Sequence, residues 1–168
     1  ATWIVSVDAE AKRLQAEDGR QFGYGILIWA AAGVPKRLGC GEEGLAHVHS
    51  IRTRADIDAM TSYLGEAERG VVIGGGYIGL EAAAGLHKLG KEVVLVEATD
   101  RVLSRVAGES VSRFFEAEHR ARGVDVRLSA SIEHVDGEGV RLRGGETIPA
   151  DLVIVGIGID AAAGPPLG

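Results

Sequence analysis

Gly74, Gly76 and Gly79 fall in the run "VVIGGGYIGLEAAAGLHKLGKEVVLVE", residues 71–97, with the spacing G-x-G-x-x-G, and Glu97 closes the next apolar segment. Glycines so spaced between a strand and a helix have separate uses. One makes a tight turn, one leaves bare backbone where a pyrophosphate can approach, and one lets the helix lie close on the strand. The helix that starts there presents free N–H groups and the positive end of its dipole to the phosphates. An acid at the end of the following strand accepts hydrogen bonds from the adenosine ribose hydroxyls and repels a 2′-phosphate. A glycine pattern alone is a weak signal; a strand before it, a helix after it and an acid eighteen residues past Gly79 make it specific. The chemistry expected here is the binding of NADH in preference to NADPH.

Around this nucleus stand weaker candidates. Gly75, Tyr77 and Ile78 occupy the turn and the first helical turn. Glu81 would stabilise the helix dipole in any setting, and it also falls where a nicotinamide carboxamide would cross the strand ends. Arg101, four residues past Glu97, is a cation able to swing over the ribose and soften the discrimination against phosphate. Gly156 and Gly158 end the apolar run "DLVIVGIGI", where parallel sheets receive ligands, and would serve a plain strand-end turn equally well. His47 and His49 lack a third ligand and read as loop residues rather than a metal site. Cys40 is the single cysteine. It excludes an internal disulfide, a CxxC pair and a thiolate cluster, and without a basic neighbourhood it reads as an unreactive thiol. His119 reads as exposed or structural, and Trp3 and Trp29 as core.

These residues need elements to hold them. Residues 1–38 read as β: "TWIVSV", a turn through "DAEAK", "RLQA", a hairpin at "EDGR", then "YGILIWAAAG" as a buried strand. Thr53 and Asp56 have capping-box spacing ahead of a helix with Ile57, Met60, Thr61 and Leu64 on one face, ending at Gly65. From Val71 strands alternate with helices. Ile78, Ala82, Leu86 and Leu89 are expected to line one helix, stopped by Gly90, and Val111, Phe114 and Phe115 to face inward from a second over about 109–122. "SIEHVDGEGVRLRGGETIPA" reads as an antiparallel flap with turns at "DGEG" and "RGGE", and "DLVIVGIGI" as a central parallel strand, apolar on both faces. The tail "DAAAGPPLG" has nothing to pack with.

Composition bounds the function. The chain of 168 residues carries a net charge of −6, a pI near 5.4 and no cluster of Lys and Arg, which argues against nucleic acid. No apolar run approaches the ~20 residues of a membrane helix, and the start lacks the regions of a signal peptide. A reducing cytoplasm fits. The opening on a strand, without methionine, leads us to expect that something preceded it.

The stretches "VVIGGGYIGLEAAA", "VVLVEATDRVLSRV", "EAEHRARGVDVR", "PADLVIVGIGI", "EDGRQFGYGILIWAAAGVPKRL" and "IRTRADID" resemble the pyridine nucleotide–disulfide oxidoreductase superfamily. Within it they are most similar to flavoprotein ferredoxin reductases of the putidaredoxin reductase and Rieske dioxygenase reductase type. The resemblance implies an α/β fold: a Rossmann-like NAD-binding domain with a parallel sheet and antiparallel flap, plus a partial FAD-domain β-meander. It divides the chain into a partial FAD segment (1–65), an NAD(H)-binding domain (66–155) and a return segment with tail (156–168). It implies NADH and FAD as cofactors and a [2Fe–2S] ferredoxin as partner. Gly74, Gly76, Tyr77, Ile78, Glu97 and Gly156 would contact NAD, Glu81 would orient the nicotinamide as the catalytic position, and Ile4, Ala31 and Arg52 would touch FAD. The family's FAD fingerprint would precede residue 1, and its acidic FAD motif and C-terminal domain would follow residue 159. Ala30-Ala31-Ala32-Gly33 stands for the usual Ala-Thr-Gly, Val34 replaces a common arginine, and "DAAAGPP" replaces Pro-Asn. The expectation is a complete NAD domain with a strip of FAD domain, colourless by itself. The alternatives are a truncated NAD(H)-binding module without redox turnover, and a coenzyme-disulfide reductase whose cysteine would lie upstream.

Overall fold

The computed structural model describes residues 2–164; the last four residues of the tail lie outside the described residues. The chain divides into two compact units, Ala1–Val34 with Asp160–Gly168 and Pro35–Ile159. The expected boundary at residue 65 is therefore moved. Residues 35–65 belong to the larger unit, because a short strand within them joins its sheet.

In the smaller unit, β1 (Ile4–Asp8), β2 (Arg13–Ala16) and β3 (Gln21–Gly23) form the antiparallel meander, its hairpin turned by Gly19 at φ 84°. Its core is slight: Val7 and Ala16 are the buried hydrophobic side chains. The expected strand at "YGILIWAAAG" is absent. Ile26 and Ile28 are 89% and 83% exposed, since no described strand runs alongside to take up their backbone groups. Trp3, 72% exposed, is not core either, and Trp29 lies at the surface, its indole N–H donating to the Ala162 carbonyl at 3.1 Å. A last short strand in this stretch is β4 (Gly33–Pro35).

The larger unit is layered. It runs β5 (Val48–Ser50), α1 (Arg54–Leu64), β6 (Arg69–Ile73), α2 (Tyr77–Lys88), β7 (Glu92–Val96), α3 (Glu109–Ala121), β8 (Asp125–Arg127), β9 (Ile132–Asp136), β10 (Gly139–Leu142), β11 (Thr147–Pro149) and β12 (Leu152–Val155); β13 (Ile159–Ala161), most of which belongs to the smaller unit, pairs with β4. The central sheet is parallel, in the order β5-β12-β6-β7-β8. β12 is buried along its whole length between β5 and β6, as its two-faced apolar sequence requires. One face of the sheet, with Val72, Leu95, Leu152 and Ile154, packs on Leu80, Ala83 and Leu86 of α2; the other, with Val71, Ile73, Val153 and Val155, packs on Val135, Val140 and Ile148 of the antiparallel flap β11-β10-β9.

The helices keep their expected limits but not all their expected faces. Thr53 and Asp56 close the capping box on α1 and Gly65 caps its end; Met60 is its buried residue. α2 buries Gly79, Leu80, Ala83 and Leu86, while Ile78 and Leu89 are exposed. On α3 Ser112 and Glu116 are buried and Phe115, half-buried, packs on the core as expected, whereas Val111 and Phe114 are 45% and 60% exposed. Glu116 is buried because it has partners: it accepts from the Val102 N–H at 3.2 Å and from Arg113 at 3.0 Å, with Arg120 at 3.6 Å.

Candidate dinucleotide site at the strand ends

The carboxyl ends of β6, β7 and β12 converge. Gly74 follows β6 and donates its N–H to the Val96 carbonyl of β7 at 2.8 Å, and Gly156 follows β12 and donates to the Ile73 carbonyl of β6 at 2.8 Å. The chain leaves β6 toward β7 through α2, whereas β12 arrives on its other side, which makes a topological switch point where open α/β sheets bind ligands.

Each glycine of the turn meets a different surrounding. Gly74 has φ 106°, and a Cβ there would stand 2.5 Å from the Gly156 oxygen. A Cβ on Gly79 would come within 1.8 Å of the Gly74 oxygen, so only a bare position lets α2 lie this close to β6. A Cβ on Gly76 would meet nothing within 4 Å. That is the open ground a pyrophosphate needs against backbone, so the turn fits the group the fold implies. Gly76 is also the N-cap of α2 and supplies no capping side chain, which leaves the first-turn N–H groups without a side-chain acceptor.

Glu97, half-buried, turns back over this turn. Its Oε2 accepts from the Gly75 N–H at 2.6 Å, and its Oε1 accepts from the Thr99 N–H and the Thr99 hydroxyl, each at 2.8 Å. Thr99 had no signal in the sequence, since a threonine two residues past a strand-end acid fits any loop. Arg101 is a correction. Its guanidinium donates to the Ala107 and Ser104 carbonyls and to the Ser112 hydroxyl at 2.8–2.9 Å, so it is held in the loop before α3 and is not turned over Glu97.

The remaining candidates are placed as follows. Tyr77 and Ile78 are exposed in the first turn of α2. Glu81, one turn further on, is exposed and its side chain makes no hydrogen bond or ion pair with the described residues. Gly158, at φ 109°, accepts the Lys36 N–H through its carbonyl at 3.0 Å. Ile4 lies on β1 and Ala31 before β4, both in the smaller unit; Arg52 follows β5 in the larger, its N–H donating to Asp56 at 3.0 Å. Among the described residues no group of His, Cys, Asp and Glu could hold a metal ion. His119 is structural, its ring nitrogens 2.8 Å from the Phe115 carbonyl and 3.1 Å from that of Leu80. Burial, and then the Glu42 carboxylate, push the Cys40 thiol up, away from the reactive thiolate.

The profile of the pyridine nucleotide-disulphide oxidoreductases matches residues 1–164. The chain belongs to this family. It is 54% identical over 158 residues to the ferredoxin reductase subunit of a 5,5′-dehydrodivanillate O-demethylase from a Sphingobium species, covering 90% of this chain and 38% of that one. It is 52% identical over 167 residues to a ferredoxin–NAD(P)(+) reductase from a Sphingomonas species, covering 96% of this chain and 40% of that one. Among solved structures it is similar to putidaredoxin reductase in its covalent complex with putidaredoxin, with a TM-score of 0.83, 36% identity and coverage of 94% and 40%. The chain thus spans about two-fifths of the length of the curated relatives it matches.

Proposed function

We propose that this chain is the NADH-binding region of an FAD-dependent ferredoxin reductase, in which electrons pass from NADH through FAD to a [2Fe–2S] ferredoxin. The single observation that carries the reading is the glycine turn, open at Gly76 and closed over by the Glu97 carboxylate. Family membership and the names of its relatives support the ferredoxin and flavin parts. When bound, the dinucleotide supplies a hydride and the flavin divides it into single electrons, chemistry that belongs to the cofactors.

The chain's own residues bind and orient. Gly74 and Gly79 hold the turn tight against α2, and the N–H groups of the first helical turn receive the pyrophosphate over Gly76. Glu97 accepts the ribose hydroxyls, Tyr77, Ile78 and Gly156 border the bound dinucleotide, and Glu81, free of partners, receives the nicotinamide carboxamide. Ile4, Ala31 and Arg52 contribute to the flavin side. No described helix is long and apolar enough to cross a membrane, and a single half-buried cysteine suits the reducing cytoplasm to which we assign the protein.

Cofactor choice tests the reading. A carboxylate accepts from the ribose diol of NADH and repels the 2′-phosphate of NADPH, for a difference of about 2–3 kcal/mol. Glu97→Gln weakens NADH and relieves the repulsion of NADPH. Calorimetric titration of both nucleotides against wild type and variant should give NADH the higher affinity and a narrowed ratio in the variant. Equal affinities in the wild type, or a ratio the variant leaves unchanged, would mean that Glu97 does not read the ribose.

A further inference from the structure

Glu97 is not a free acid at the mouth of the site. Three donors converge on its carboxylate: the Gly75 N–H, the Thr99 N–H and the Thr99 hydroxyl. Converging backbone N–H groups of this kind form the concavities in which proteins seat anions. The frame of these donors is fixed independently of the acid. The Gly75 carbonyl accepts the Leu103 N–H, and the Thr99 carbonyl accepts the Ser129 N–H, each at 2.8 Å. Gly75 has to be bare, because a Cβ there would stand 2.9 Å from Val102 Cγ1 and 3.1 Å from Glu97 Oε2. Arg101, the nearest cation in sequence, has its guanidinium turned to other partners. The donors facing the carboxylate are therefore neutral ones.

We propose that Gly75 and Thr99 form an anion seat at the end of β7, that Glu97 fills it from within the chain, and that Thr99 governs dinucleotide choice through it. A carboxylate offers about four acceptor sites, and three donors already occupy Glu97. One site is left for a ribose hydroxyl. The second comes free when the Thr99 hydroxyl, which has a single proton, turns from Glu97 to the Arg101 carbonyl oxygen 2.9 Å away. The Ser104 hydroxyl, 3.1 Å from Thr99 Oγ1, then donates to Thr99. With the acid in place the seat admits no phosphate. With the acid removed, the same three donors face the 2′-phosphate of NADPH.

Inorganic phosphate is the probe, titrated into the whole isotope-labelled chain while the amide resonances of Gly75 and Thr99 are followed. In wild type the Thr99 resonance stays in place, whatever phosphate does at the α2 N-terminus beside Gly75; in Glu97→Ala, and in Glu97→Ser as a second variant, the Thr99 resonance moves together with that of Gly75. Adding Thr99→Ala to Glu97→Ala weakens phosphate about tenfold, the loss of one hydrogen bond to a charged group, and Thr99→Ser in its place restores it. The remaining amide resonances report that each variant is folded. The dinucleotide arm rests on the function proposed above: Glu97→Ala gains affinity for NADPH relative to NADH, and the Thr99→Ala addition removes about tenfold of that gain. Phosphate that leaves the Thr99 amide unmoved in the folded Glu97 variants overturns the seat, as does a double variant that binds phosphate as tightly as the single one. If phosphate binds as expected and neither dinucleotide does, the seat stands and the proposed function falls. If both dinucleotides bind, with a ratio indifferent to Thr99, and phosphate leaves the Thr99 amide unmoved in the Glu97 variants, the function stands and the seat falls.

Discussion

His49 and His47 each bury a ring nitrogen, Nε2, that meets no hydrogen-bond partner within the chain. His49 also leans on the Tyr63 ring of α1, with centroids 5.1 Å apart. Burial, and then the nearby His47, hold the His49 pKa below its usual 6.5, against a smaller upward pull from Asp56. The sign follows from proton counting. Below about pH 6.5 the unfolded chain takes up a proton at this position more readily than the folded one, so stability is full above the unfolded value. It is lost as the pH falls through that value toward the folded one. Thermal melts at pH 7.5 and pH 5.5 should show a lower midpoint at the acid end, and His49→Phe, which keeps a ring against Tyr63 and removes the titrating nitrogen, should flatten the difference. An equal difference in the variant would place the acid sensitivity elsewhere. At this same scale the sequence was most legible where a residue type has one geometric use. Gly74 and Gly79 could be assigned from spacing because only a missing side chain allows the approaches they make. Thr99 could not, because its role depends on where the Glu97 side chain turns, and nothing local fixes that.

α3 shows how an element can be found and yet be turned the wrong way. Its limits, about 109–122, were readable, but its apolar residues Val111 and Phe114 point outward while Ser112 and Glu116 are buried. Periodicity locates the most hydrophobic stripe, and that stripe is the core face only where the core is apolar. Here the loop before the helix places Arg101 on Ser112 and the Val102 N–H on Glu116, so the inner face carries two satisfied polar residues beside Phe115, which does pack on the core. The prediction is an inversion of the usual order of damage. Glu116→Ala strips the Val102 N–H of its acceptor and takes an ion-pair partner from two arginines, and should cost about 1–3 kcal/mol. Phe114→Ala, at an exposed position, should stay within about 0.5 kcal/mol. Urea unfolding of both variants decides it, and a larger loss at Phe114 would mean that this face is covered in solution. In "YGILIWAAAG" the failure is of another kind: the β propensity was read correctly, but a strand forms only where a neighbour completes its ladder.

Across the whole molecule the two units differ in what holds them. The larger has apolar clusters on both faces of its sheet, whereas the smaller has Val7 and Ala16 under a three-stranded meander. Small sheets with little buried area are marginal, and local opening follows buried contacts. Hydrogen exchange should therefore be fastest in residues 2–34 and slowest at Val71, Val93 and Val153; uniformly slow exchange over both regions would contradict this. The fold class was legible because alternating strands and helices admit few topologies. The division of the chain was not, since three residues of β5 with little period of their own decide it by pairing with β12.

That pairing sets an order of events during synthesis. β12 lies between β5 and β6, yet it is made after every other strand of the parallel sheet. A chain still emerging from the ribosome holds β6, β7 and β8 with their helices while the slot beside β6 stays empty, leaving the backbone edge of β6 unpaired until Leu152–Val155 arrives. The Gly74 turn cannot be braced by Gly156 before then. The braced glycine turn is thus among the last features to form, and a chain released before residue 156 would carry the whole glycine signature without the geometry that gives it meaning.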